Sequence, residues 1–218
     1  MKTFKLSPSS LKLMNDCPRC FWLAQNKIWK RPQGIFPSLP NGMDRILKTH
    51  FDSFMEKGTL PPELSENGDS NGFKLFDNAE LLKVWRNNFK GISWSNENGD
   101  NLHGAVDNIM VNGKKLIVLD YKTRGYPLKE NTASLNQNQL DIYNFLLRKN
   151  NHETEDFAFL LYYVPKEVTE TGEVIFDTTL VKMNIDVKNA ENLFSNAINL
   201  LNSGCPEKGC EWCSLIDK

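Results

Sequence analysis

The 218-residue chain has no apolar stretch long enough to cross a membrane. Its longest apolar run, Phe157–Val164, falls far short of the roughly 20 residues a spanning helix needs. The opening segment, MKTFKLSPSS, lacks an apolar signal region. A soluble, cytoplasmic protein with no membrane partner is expected. Charge of either sign is not in excess: the formal net charge is −1. A protein that is basic all over is therefore excluded, and any nucleic acid must meet a local patch. No repeat or low-complexity segment is present. Cysteine is missing from residues 21–204 altogether; all five, Cys17, Cys20, Cys205, Cys210 and Cys213, lie close to the two ends. Without a secretion signal, such clustering points to metal or redox chemistry before a disulfide framework.

Hydrophobic periodicity and breakers divide the chain. Ser7 and Pro8 read as an N-cap and first helical position, with Pro18 interrupting the helix that follows. A loop carrying Pro32, Gly34, Pro37, Pro40 and Gly42 precedes a helix over residues 43–57, with Ile46, Leu47, His50, Phe51 and Phe54 on one broad face. A polar connection at 61–72 leads to a helix over 77–89. Candidate strands follow at 91–95, 102–111 and 114–122, the last two joined by a hairpin turn at Asn112–Gly113. A helix is expected over 134–150, strands over 157–164 and 178–185, and a last helix over 187–204, closed by Gly204. This order gives an α/β fold with a mixed central sheet flanked by helices. At this length one domain with elaborations is expected over 1–218: a core of about 42–185, a helical segment 1–41 and a C-terminal helix with its cysteine tail at 186–218.

The segment Val118–Thr123 puts two charges into a strand that starts as core. Side chains alternate along a strand, so Asp120 and Lys122 share a face while Leu119 and Tyr121 share the other. Such charges are costly unless paired, hydrogen-bonded or holding a metal. A salt-bridged pair at a fraying strand end is the plain reading. The hairpin changes the balance, because it brings Asp107 beside Asp120. Two adjacent carboxylates suit Mg²⁺ or Mn²⁺, with Lys122 placed to orient water or offset charge in the transition state.

Gly104-x-x-Asp107, then Asp120-x-Lys122, then Gln139-x-x-x-Tyr143 resembles the PD-(D/E)XK nuclease superfamily in its RecB-like branch, over about residues 50–143. The resemblance implies a restriction-endonuclease-like core and a metal-dependent DNA nuclease. Asp107 and Asp120 would be the metal ligands and Lys122 the catalytic lysine. Gln139 and Tyr143 lie one turn apart on a helix and would contact DNA or steady the site, unless they are ordinary helix surface. The resemblance also implies a histidine ligand on the preceding helix. His50 fits that place, with a core role as its alternative, and His103 is the competitor. An exonuclease acting on single-stranded DNA or free ends is implied, in repair, recombination or CRISPR or phage DNA processing. A helicase or CRISPR-adaptation protein is the implied partner. A silent DNA- or partner-binding module, or a nuclease subunit active only within a helicase or CRISPR-adaptation complex, is the alternative.

Cys210-x-x-Cys213 and Cys205 supply three thiolates, and an N-terminal cysteine makes four. This resembles the iron–sulfur subset of RecB-like nucleases, including CRISPR-associated exonucleases and the AddB nuclease domain, and implies a 4Fe–4S cluster. Cys17 is taken as the N-terminal ligand and Cys20 as the spare. Cys205 preceding the Cys-x-x-Cys pair departs from the commoner order; a four-cysteine Zn²⁺ site accepts similar spacing, and free cysteines without metal are the remaining alternative. For DNA contact the surface candidates are Lys27, Trp29, Lys30 and Arg31, together with Arg124 just past Lys122. One buried tryptophan at a helix end is the alternative for that stretch.

Overall fold

The computed structural model describes residues 2–32, 34 and 37–216. The elements in chain order are β1 (Lys5–Leu6), α1 (Pro8–Asp16), α2 (Pro18–Gln25), α3 (Ser38–Lys57), α4 (Pro62–Ser65), β2 (Lys74–Leu75), α5 (Ala79–Trp85), β3 (Ile92–Ser95), β4 (Asn101–Gly104), β5 (Asn108–Asn112), β6 (Lys115–Thr123), α6 (Gln137–Lys149), β7 (Phe157–Val168), β8 (Val174–Asn184) and α7 (Val187–Asn202). A five-stranded sheet runs β2-β5-β6-β7-β8, and a three-stranded sheet runs β1-β4-β3. β6 and β7 are parallel, joined by the α6 crossover, and the other pairs of the larger sheet are antiparallel. The expected α/β fold with mixed sheets flanked by helices is present.

Two apolar layers cover the larger sheet. Residues of even number on β6, Leu116 and Val118, join Leu140 and Leu146 of α6, Leu11 of α1 and Phe194 of α7 in one core. Ile117, Leu119 and Tyr121 face the opposite way and join Met43, Leu47 and Phe51 of α3. This alternation is what a strand covered on both sides requires. It sends Asp120 and Lys122 toward the α6 side. The crossover helix is itself buried nearly all round, and its Asp141 accepts hydrogen bonds from Gln137 Nε2, the Asp186 amide and Asn189 Nδ2. These satisfy the buried carboxylate and lock α6 to the N-terminus of α7.

Four local expectations need correction. The strand expected over 102–111 is two strands: β4 belongs to the small sheet and β5 to the large one, with Ala105–Asp107 carrying the chain between them. Pairing of Asn112 with Lys115 makes Gly113 and Lys114 the hairpin turn, one residue later than expected. α3 begins at Ser38, inside the expected loop, because Pro40 and Gly42 fall in its first turns, where a missing amide hydrogen costs no helical bond at Pro40. On that helix Met43, Leu47 and Phe51 are buried while Ile46 is 52% exposed, so the apolar face is narrower than the spacing implied.

Candidate active site

The β5–β6 hairpin sets Asn108 opposite Leu119, which brings Asp107, the residue before β5, beside the Asp120–Tyr121 peptide. The Tyr121 amide donates to Asp107 Oδ2 at 2.9 Å. Asp120 is almost completely buried and forms an ion pair with Lys122. Lys122 Nζ also donates to Gln139 Oε1 at 3.1 Å, and Gln139 Nε2 donates to Tyr143 Oη at 2.7 Å. A continuous polar chain therefore runs from the strand carboxylate, through the lysine, to two residues one turn apart on α6. Gly104 makes this possible: a Cβ there would lie 2.7 Å from Tyr143 Cε1, so the tyrosine ring rests directly on the β4 backbone.

The electrostatics of the carboxylates are unfavourable as they stand. Burial, and then the neighbouring Asp107 charge, push the Asp120 carboxyl up to about 7, with Lys122 pulling the other way. Burial also raises Asp107, opposed first by Lys48. Two oxygen-donor groups that repel one another in a desolvated site are what a hard divalent cation would reconcile. Among the described residues the only grouping of three or more metal-ligating side chains is that of the cysteines. A cation at Asp107 and Asp120 would thus draw its remaining oxygens from water and phosphate, the usual habit of Mg²⁺.

The sequence reading missed two cations here. Lys48 of α3 lies 3.3 Å from Asp107 Oδ1 and 2.8 Å from Asp44 Oδ1. Arg86 donates through Nε to the Asp107 carbonyl at 2.7 Å and through Nη1 to both oxygens of Asp52 on α3, at 2.7 and 2.9 Å. It therefore pins the backbone of Asp107 to the helix. Asp44 and Lys48, four residues apart on one helix face, were the available signal.

His50 does not join this site. Two residues along a helix turn the side chain by about 200°, so with Lys48 reaching Asp107, His50 faces away. Its Nε2 lies 3.0 Å from Glu63 Oε1, and Tyr163 Oη donates to the same carboxylate at 3.0 Å. His103 Nδ1 is held 2.8 Å from the Leu6 carbonyl oxygen. With Lys12, Gln139 and Tyr143 it lines a polar cleft of about 410 Å³ on the α6 side. Neither this cleft nor a cavity of about 710 Å³ between α3, α4 and β8 is lined by Asp107, Asp120 or Lys122; the cleft reaches the site through Gln139 and Tyr143.

The cysteine set also differs from expectation. Cys17, Cys20, Cys210 and Cys213 come together, whereas Cys205 is exposed and outside the group. Each Cys-x-x-Cys pair forms one tight turn. Cys17 ends α1 and caps α2, its Sγ accepting from the Cys20 amide at 3.5 Å, and Cys213 Sγ accepts from the Cys210 amide at 3.1 Å. Cys205, three residues past α7, instead has its Sγ 3.8 Å from the Pro206 carbonyl oxygen. Burial pushes the Cys20 thiol up to about 12. Of the stretch proposed for DNA, Trp29 packs against the cysteine cluster and Arg31 donates to the sulfurs of Cys20 and Cys210, while Lys27 and Lys30 remain exposed. Arg124 is half-buried, with Nε 3.5 Å from the Tyr126 carbonyl oxygen.

No described helix is long and apolar enough to cross a membrane. The model of one family, described as the PD-(D/E)XK nuclease superfamily, matches residues 77–217. No curated protein matches the chain. Among solved structures it is similar to one titled "Crystal structure of SSO0001", at 17% identity and a TM-score of 0.45, covering 99% of this chain and 86% of that one.

Proposed function

We propose, from the premise that this chain belongs to the PD-(D/E)XK nuclease superfamily, that it is a divalent-metal-dependent deoxyribonuclease of the RecB-like branch. It hydrolyses phosphodiester bonds of DNA with free ends, as an exonuclease in repair, recombination or the processing of foreign DNA. The observation carrying this reading is the convergence of Asp107, just before β5, with Asp120 and Lys122 of the adjoining β6, and with Lys122 held by Gln139. Asp107 and Asp120 are the residues that hold Mg²⁺ or Mn²⁺. When bound, that cation supplies Lewis acidity toward a phosphate oxygen.

The other steps belong to the chain's own groups. Lys122, tethered by Asp120 and Gln139, presents a fixed ammonium to charge developing on the phosphate, and a preorganised donor of this kind needs no reorganisation during reaction. Gln139 and Tyr143 hold the lysine's direction and form one wall of the 410 Å³ cleft, where a DNA strand can lie against Lys12 and the asparagines Asn136 and Asn138. Arg86 keeps Asp107 in register with Asp120.

End-labelled single- and double-stranded DNA incubated with the protein in Mn²⁺, Mg²⁺ or EDTA tests this. Shortening from the labelled end should require metal and disappear in a folded Asp107→Asn protein. Equal cleavage by wild type and Asp107→Asn would remove the site from the chemistry.

A further inference from the structure

The four clustered cysteines are spaced for one metal ion. Their Sγ atoms all lie within 4.8 Å of one another, with 3.5 Å between Cys20 and Cys210, and 3.9 Å for both Cys17–Cys213 and Cys210–Cys213. A tetrahedral ion with metal–sulfur bonds of about 2.3 Å sets its sulfurs about 3.8 Å apart, the edge of that tetrahedron. In a four-iron cube each thiolate binds a different corner iron, which spreads the sulfurs to roughly 6 Å or more. The observed separations match the first arrangement and are too short for the second.

The surroundings agree. The two Cys-x-x-Cys turns each contribute a pair of sulfurs, so no open position is left for water or substrate. Gly209 brings the backbone against the site, since a Cβ there would lie 2.6 Å from Cys213 Sγ. Arg31 Nη2 donates to Cys20 Sγ at 3.5 Å and to Cys210 Sγ at 3.4 Å, and its guanidinium lies over the Trp212 ring at 5.9 Å. Four thiolates around a divalent ion carry a net double negative charge, which a guanidinium bonded to two of the sulfurs offsets.

We infer that Cys17, Cys20, Cys210 and Cys213 form a closed structural site for a single Zn²⁺, with Arg31 as its outer hydrogen-bond donor, and that these residues do not fit the 4Fe–4S cluster implied by the family resemblance. Zinc has four-coordinate thiolate sites of this closed kind, where it contributes folding energy and no hydrolysis. The ion ties the α1–α2 junction to the segment after α7, across 190 or more residues of chain. The inference is independent of the carboxylate chemistry, because no residue is shared.

The test is metal and sulfide analysis of the full chain, purified anaerobically from iron-replete cells. The expected result is colourless protein with one zinc per chain, and no iron or sulfide. Replacement of zinc by Co²⁺ should give the intense visible bands of tetrahedral cobalt thiolate. Cys205→Ser should keep the zinc and Cys20→Ser should lose it. Arg31→Met should fold and bind zinc, but lose it to a chelator about tenfold faster or more. Four irons with sulfide would overturn the inference, as would one iron without sulfide. So would zinc lost from Cys205→Ser but kept in Cys20→Ser, or metal-free protein in which every cysteine is alkylated under native conditions.

Discussion

Replacing Asp120 by Asn should stabilise the metal-free protein at pH 8 while abolishing its response to metal. Burial and the Asp107 charge raise the Asp120 carboxyl from 3.8 to about 7. The folded chain therefore holds a proton there that the unfolded chain releases between about pH 4 and 7. In that window the folded state binds more protons, so wild-type stability falls as pH rises, and above pH 7 the whole cost is present. Each tenfold in that equilibrium is 1.36 kcal/mol, which gives a ceiling of about 4 kcal/mol. The pull of Lys122 is already contained in that raised value, and relaxation and partial hydration of the buried site bring the expected net gain to about 1–3 kcal/mol. For a chain of this size that is about 3–10 °C in melting temperature. The assay is thermal melting in EDTA from pH 5 to 8, with and without Mn²⁺. The variant's advantage should be about a third of its full size near pH 5 and grow to pH 8. Saturating Mn²⁺ should raise the wild type by about 2.7 kcal/mol at a hundredfold excess over Kd and leave the variant unmoved. Parallel pH profiles for the two proteins in EDTA would refute the argument that the carboxylates are in electrostatic conflict.

Lys48→Met removes the cation that most opposes the burial of Asp107, so the acidic limb of the pH–rate profile for Mn²⁺-dependent cleavage should move to higher pH; an unmoved limb would place Lys48 outside the site. Gly104→Ala drives a methyl group into the Tyr143 ring and should cost about 1–3 kcal/mol, with cleavage lost in the fraction that still folds, as read by melting and by assay below the transition. His50→Ala should leave the Mn²⁺ titration unchanged, since the imidazole is engaged with Glu63; weaker Mn²⁺ binding would return it to the metal site.

The sequence alone determined what depends on period and local chemistry. Strand alternation put Asp120 and Lys122 on one face and Leu119 and Tyr121 on the other, and the two apolar layers keep that division. The hairpin signal brought Asp107 beside Asp120 although the turn lies one residue later. Ser7 with Pro8 did cap α1, with Ser10 completing the box. What failed was what depends on how separate elements meet. Helical spacing made His50 apolar-facing, but only the packing of α3 decided that Lys48 points at Asp107 and His50 at Glu63. The break between β4 and β5 is invisible in an alternating stretch, because the strand pattern is the same whichever sheet receives it. The choice among five cysteines was likewise open, since residue spacing limits reach without setting direction. The tight turns at Cys17–Cys20 and Cys210–Cys213, brought together by the packing of α2 beside the end of α7, left Cys205 in solvent. Local periodicity is carried by the covalent chain, whereas a site built from both ends of it exists only once burial has fixed which faces touch.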